Sequence, residues 1–264
     1  MRVVVTGSTS AIGKKIIQLL KSKGMSVIEL GGKNSELWRL GRPLPKDLQA
    51  DTLIHLAHDR KLSLEENNTA IDLLVESFKG YKILISSLSS HSKTESKYGL
   101  SKRYAEERFL EKNGVCLRVG LVYGTLTGGV YQTLRKSISK FPVLPLPFDG
   151  KPRFFFSHID DLTSEILHFV QTKQRGLVFA ANYWPHSLRD IVERLAQDLG
   201  RNCYLIGVNT ATTRLLLKVT KLLGIKVALL DSLKSLEHEI SNSELGALQI
   251  PNTRFRSFNE ELWI

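Results

Sequence analysis

Apolar residues enter this chain as short runs and helical stripes in alternation. Val3–Val5 is a β-branched run that stops at Thr6-Gly7, the pattern of a strand buried on both faces. From Ala11 to Lys23, Ile16, Ile17, Leu19 and Leu20 recur at helical spacing, and Gly24 suits a C-terminal cap. Further strands are predicted over Ser26–Leu30, Thr52–Ala57, Lys82–Ser86 and Val115–Val122, with helices over Thr69–Phe78 and Tyr98–Lys112. Strand and helix taken in turn imply βαβ crossovers, and hence an α/β fold with a doubly wound parallel sheet.

After Thr125 the periodicity loosens. Phe141-Pro142-Val143-Leu144-Pro145-Leu146-Pro147 reads as a proline-punctuated loop, suited to a lid or a junction. Helices follow near Leu162–Gln171 and Ser187–Leu199, then a basic, leucine-rich segment, Thr213–Lys226. The expected division is a first domain over residues 1–140, drawing further sheet elements from about 150–185, and a smaller C-terminal substrate lobe over 141–264.

Bulk properties narrow the class. A chain of 264 residues can bury a sizeable core. Two cysteines exclude a disulfide scaffold; Cys116 and Cys203 lie in apolar stretches and read as buried thiols of a reducing, cytoplasmic setting. No apolar run reaches the ~20 residues of a membrane span, and no signal peptide is read at the start. The net charge of +11 suits anionic partners, but no nucleic-acid motif accompanies it, so an anionic small substrate is preferred. Arg214, Lys218 and Lys221 interleave with Leu215–Leu217 and Leu222–Leu223. That segment is read as a helix covering the lobe in preference to a membrane-surface contact.

Two sites carry chemistry. The turn Thr6-Gly7-Ser8-Thr9-Ser10-Ala11-Ile12-Gly13 joins a strand to a helix. Glycines there permit a tight turn and let a pyrophosphate approach the helix N-terminus. Gly7, Thr9, Ser10, Ala11, Ile12 and Gly13 are therefore the candidate cofactor cradle, with Ser10 standing where a middle glycine is usual. The sheet is then of Rossmann type and the cofactor NAD or NADP. Glu29 sits too early in the second strand to select a ribose hydroxyl, and Lys33 can meet a 2′-phosphate, so the lean is towards NADP.

The second site is Tyr98-Gly-Leu-Ser-Lys102. Four residues apart, the phenol and the ammonium share one helix face. A neighbouring cation favours phenolate, so Tyr98 can serve as base and, reprotonated, as acid. Ser87, in Ile85-Ser86-Ser87-Leu88-Ser89-Ser90, is the expected hydroxyl donor to the substrate oxygen, with Ser90 in reserve. No metal site is expected.

These residues resemble the extended short-chain dehydrogenase/reductase family, in particular its NAD-dependent epimerase/dehydratase branch. The likeness spans roughly residues 1–200. It rests on Thr6-Gly7 to Gly13, Asp51-Thr-Leu-Ile-His55-Leu-Ala57, Asn67, Ile85-Ser86-Ser87, Tyr98 with Lys102, Arg118 to Gly124, and His158-Ile-Asp160-Asp161-Leu162. The resemblance implies Ser87, Tyr98 and Lys102 as catalytic, and Leu56, Ala57, Tyr98 and Lys102 as lining the cofactor. It implies Asn67 and Arg153 near the substrate, and an aspartate of the His158 motif capping the next helix. It also implies a nucleoside-diphosphate sugar as substrate, hydride transfer as the reaction, and dimerisation through helices that include the Tyr98 one. Trp38-Arg-Leu-Gly41 stands where relatives carry a Gly-Asp-Leu adenine motif, and the chain after Arg201 matches no family pattern. The alternatives are a non-catalytic cofactor-binding protein of the same fold and a reductase of a non-sugar carbonyl.

Overall fold

The computed structural model describes residues 1–31, 38–124, 129–215 and 240–258. Six parallel strands form its central sheet: β1 (Arg2–Thr6), β2 (Ser26–Leu30), β3 (Thr52–His55), β4 (Tyr81–Ser87), β5 (Val115–Val119) and β10 (Gly176–Ala180). Their order across the sheet is β10-β5-β4-β3-β1-β2. The chain therefore runs outward in both directions from β1 and β3, and a crevice opens at the C-terminal ends of that pair, where ligands of open α/β sheets bind.

Alternation along each strand feeds two layers. Val3, Val5, Ile54, Ile83, Ile85 and Leu117 meet α1 (Ala11–Ser22) and α5 (Ile159–Thr172) on one face. Val4, Leu53, Leu84 and Cys116 meet α2 (Leu64–Ser77) and α3 (Lys97–Glu111) on the other, with Trp38 and Leu44 filling in beside them. Each such aliphatic side chain, fully buried, contributes about 1.5–3 kcal/mol of transfer free energy. The caps follow from sequence: Ser63 and Glu66 bond reciprocally at the start of α2, which begins at Leu64, a turn and more before the periodicity suggests.

Gly120 ends β5. A Cβ at this position would run into the Phe155 carbonyl, and its N–H donates to Ser157 Oγ at 3.0 Å. The predicted single strand Val115–Val122 is therefore two: β6 (Leu121–Tyr123) leaves the sheet to pair with β9 (Phe156–His158). Together with α4 (Gly129–Lys140), β8 (Arg153–Phe154), β11 (His186–Ser187) and α6 (Leu188–Asp198), these build a second core. Tyr123, Phe156, Ile191 and Phe258 lie at its centre, and the Phe156 and Phe258 rings stack 4.1 Å apart.

The segment predicted as a proline-rich loop is instead a strand, β7 (Val143–Pro147), paired in parallel with β12 (Tyr204–Val208). A two-stranded ribbon has two edges, and prolines are tolerated where their missing N–H would face away from the partner. Cys203 is half-exposed rather than buried, because it precedes this edge ribbon; Cys116 is buried as expected. The cap of α5 is His158, whose Nδ1 accepts from the Asp160 N–H at 3.3 Å. The aspartates expected to cap pair elsewhere: Asp160 with Lys15 at 2.7 Å and Asp161 with Arg256 at 2.8 Å.

Residues 240–258 tie the two units together: Phe258 fills the second core, while the residues before it return to the first unit. Gln249 bridges to Val178 of β10, and the wholly buried Glu165 carboxylate accepts from the N–H groups of Asn252 and Thr253 at 2.9 and 2.7 Å. Among the described residues, no helix is long and apolar enough to cross a membrane.

Candidate active site

The turn after β1 is built for close approach. Gly7 has φ +71°, and a Cβ there would lie 2.9 Å from Ala57 N and 3.0 Å from Leu56 C, so the backbone just after β3 presses directly on it. A Cβ on Gly13 would strike the Gly7 carbonyl and lie 2.9 Å from the Ser8 carbonyl. Ser10 caps α1, its hydroxyl accepting from Gly13 N–H at 3.0 Å. Among the described residues the N–H groups of Ala11 and Ile12 have no protein partner. Two free donors at a helix N-terminus, beside a turn kept bare by glycine, fit an anionic phosphate bridge. Thr9 and Ser10 are exposed at this turn, and Leu56 and Ala57 are half-buried beside it. Lys33 lies outside the described residues.

The structure brings Ser87, Tyr98 and Lys102 together at the next strand end. Ser87 closes β4, and its Oγ accepts from Ser89 N–H at 3.1 Å. Its hydroxyl faces the Tyr98 phenol and favours the ionised form. Lys102 is buried; its Nζ lies 5.9 Å from the centre of the Tyr98 ring and donates to the Ile85 carbonyl at 2.8 Å. Burial lowers Lys102 to about 8, with Glu106 opposing. Burial likewise raises Tyr98 above the ordinary phenol range, outweighing Arg60 and Ser87. The cations around this ring therefore do not favour a resting phenolate: the Lys102 ammonium is turned to the Ile85 carbonyl, and burial keeps the Tyr98 phenol protonated.

Ser90, the reserve hydroxyl, is committed elsewhere. Its Oγ is buried within 2.6 Å of the Ser87 carbonyl and 2.7 Å of Glu106 Oε1. The same carboxylate oxygen accepts from Ser86 Oγ at 2.5 Å, and Arg118 Nη2 reaches Oε2 at 2.9 Å. Arg118 Nη1 then donates to Glu244 at 2.7 Å, and Glu244 accepts from Ser92 N–H. One buried ion pair thus braces the loop that carries Ser87. Asn67 is buried too, its Nδ2 donating to the carbonyls of Asp59, Leu62 and Ser63. That amide nitrogen stitches the loop after β3 and does not face outward. Arg153 lies exposed on β8 and donates to the Pro185 carbonyl at 3.3 Å.

With this geometry, likeness to solved proteins can be weighed. No protein-family model and no curated protein matches the sequence. Solved structures do. The dTDP-4-dehydrorhamnose reductase of Yersinia enterocolitica is similar at 16% identity and TM-score 0.68, over 80% of this chain and 84% of that one. A Thermus thermophilus UDP-glucose 4-epimerase in complex with NAD is similar at 17% and 0.64, over 89% and 97%. The ADP-L-glycero-D-manno-heptose-6-epimerase of Helicobacter pylori is similar at 19% and 0.64, over 79% and 86%. This chain has the fold of the extended short-chain dehydrogenases/reductases.

Within this fold, some neighbours of Tyr98 escaped the sequence reading. His58 packs edge-on to the ring at 5.0 Å, and the Arg60 guanidinium lies 6.0 Å from its centre. Both sit in the loop after β3, where no spacing rule marks them. Glu106 was within reach: it continues the four-residue step Tyr98, Lys102 down the same helix face. His55 is buried at the end of β3, with Nδ1 2.7 Å from Thr6 Oγ1; burial, then Lys102 and His58, hold it neutral.

Proposed function

We propose that the chain is an NAD-dependent oxidoreductase or epimerase of a nucleoside-diphosphate sugar, with Tyr98 as its acid/base. The observation that carries this is the meeting of Ser87, Tyr98 and Lys102 beside the glycine turn at the sheet's C-terminal edge. The structural neighbours support it: one is a complex with UDP-glucose and NAD, another an NAD-dependent NDP-hexosamine 5,6-dehydratase. The lean towards NADP finds no support there, since the cofactor named is NAD.

Gly7, Gly13 and the N–H groups of Ala11 and Ile12 would hold the dinucleotide's phosphates, with Leu56 and Ala57 alongside. Bound there, NAD would supply the hydride acceptor and donor. Ser87 would orient the substrate oxygen through its hydroxyl. Tyr98, protonated at rest, would give its proton to an oxygen gaining negative charge, and recover one in the opposite direction. Lys102 would position the phenol's neighbourhood and keep positive charge near it. The lobe from residue 141 onward, Arg153 included, would carry the sugar nucleotide.

The test is a panel of nucleoside-diphosphate sugars with NAD and NADH, products read by mass spectrometry, on wild type and Tyr98→Phe. Tyr98→Phe should fold, bind NAD as the wild type does, and lose about 10²–10⁴-fold in kcat. Wild-type turnover by a folded Tyr98→Phe would sink the assignment.

A further inference from the structure

Among the described residues, the Tyr98 ring meets Lys102 from its own helix, Ser87 from the end of β4, and His58 and Arg60 from the loop after β3. The two cations differ in what they can do. Lys102 is buried, spends its ammonium on the Ile85 carbonyl at 2.8 Å, and is lowered by burial to about 8. It therefore loses its charge on the alkaline side, where a phenol begins to ionise. A guanidinium keeps its charge throughout that range. Arg60 is exposed, lies 6.0 Å from the centre of the Tyr98 ring, and makes no ion pair with an acid among the described residues. Its neighbour Asp59 turns its carboxylate to the Lys61 N–H, at 2.9 Å.

The loop that carries Arg60 is tied down. The buried Asn67 side chain donates to the Asp59 carbonyl at 3.0 Å and to those of Leu62 and Ser63. His58, two positions before Arg60, sits edge-on to the same ring with centres 5.0 Å apart. The guanidinium is thus held over the ring by a loop anchored on both sides of it. An opposite charge within ~4–6 Å of a titrating group favours its ionised form by about one pKa unit or more, and solvent beside Arg60 places it at the low end. At rest burial prevails over Tyr98, and Arg60 is the largest influence opposing it.

We propose that Arg60 is a positioning residue that stabilises the Tyr98 phenolate while its proton is away. The inference rests on the acid/base role given to Tyr98 above. In the step concerned, the Tyr98 O–H bond breaks as an O–H bond forms on the substrate oxygen, and the negative charge passes to the phenol oxygen. In the opposite direction the phenolate takes the proton back and its charge is discharged. Arg60 acts on that charge through space.

The experiment compares wild type, Arg60→Gln, Arg60→Lys and Tyr98→Phe by two readouts. One is the pH profile of kcat, on the sugar nucleotide that the panel identifies, in the direction in which Tyr98 accepts a proton. Arg60→Gln should move the limb set by the phenol up by about one unit and lower kcat at neutral pH about tenfold, with NAD affinity and melting temperature unchanged. Arg60→Lys should recover most of the loss. The other readout needs no substrate: carbon-13 NMR of ring-labelled tyrosine in the full chain, the Tyr98 signal assigned from Tyr98→Phe. At a fixed alkaline pH short of unfolding, Arg60→Gln should show about tenfold less ionised Tyr98 than the wild type. Equal ionised fractions overturn the proposal. So does an unmoved pH profile, or a loss confined to KM or to NAD affinity, since Arg60 then contacts a ligand and not the phenol's charge. Wild-type turnover by a folded Tyr98→Phe is a separate result, which removes the acid/base role and this proposal with it.

Discussion

Lys102 carries its charge where the surroundings oppose it. Unfolded, the group loses its proton near the ordinary 10.5; folded, burial brings this to about 8. Between those values the unfolded chain binds the extra proton, so this group makes stability rise with pH through that window and adds no slope below it. The difference in unfolding free energy between wild type and Lys102→Met should therefore shift in the wild type's favour by up to about 3 kcal/mol from neutral pH to the top of the window. Denaturant melts at several pH values check this, and a parallel pair of curves would refute it. At the glycine turn the constraint is steric. A methyl group on Gly13 meets two carbonyl oxygens of the turn, both backbone and unable to step aside. Gly13→Ala should weaken NAD binding in calorimetry by tenfold or more, roughly the factor that 1–2 kcal/mol of turn distortion represents. Unchanged affinity would move the cradle elsewhere.

At the scale of elements, the serine loop is held from two directions. Glu106 pulls from α3, and Glu244 pulls through Arg118 and Ser92 from the short helix Asn242–Gly246. Partial burial works against ionisation of Glu244, but Arg118 and Ser92 outweigh it and keep its carboxyl below the ordinary range. Its stabilisation is thus present above the unfolded pKa and lost as pH falls through the folded one. Glu244→Ala should cost about 1–2 kcal/mol, speed amide exchange over residues 88–94 and lower turnover while NAD affinity holds. Unaltered exchange in that loop would refute the brace. This brace also shows what the sequence could and could not reveal. Tyr98 and Lys102 were legible because four residues is one helical step, and β1 through β5 because buried strands read as apolar runs. Arg118 and Glu244 lie 126 residues apart, and no local period announces such a pair. In β7, prolines spoke for a loop, while the partner that makes it a strand lies some 60 residues downstream. His58 and Arg60 reach Tyr98 from a loop that Asn67 ties down, a contact between segments some 40 residues apart that no local period announces.

For the whole molecule, residues 240–258 are structural mortar between the units. Glu165 would lose both donors of its buried carboxylate without them, and Asp161 would lose Arg256. A chain ending at residue 239 should therefore lose about 3 kcal/mol or more. It should melt far below the full chain in differential scanning calorimetry; equal melting would show the segment to be dispensable. The same segment bears on synthesis. A ribosome delivers the chain from its N-terminus, and domains generally fold as they emerge. Here the sheet's β10 edge, the buried acids of α5 and the brace on the serine loop all wait for residues translated at least 60 positions after β10. The nascent Rossmann half should then remain an incompletely satisfied, chaperone-dependent intermediate until late in translation, and catalytic geometry should be among the last things it acquires.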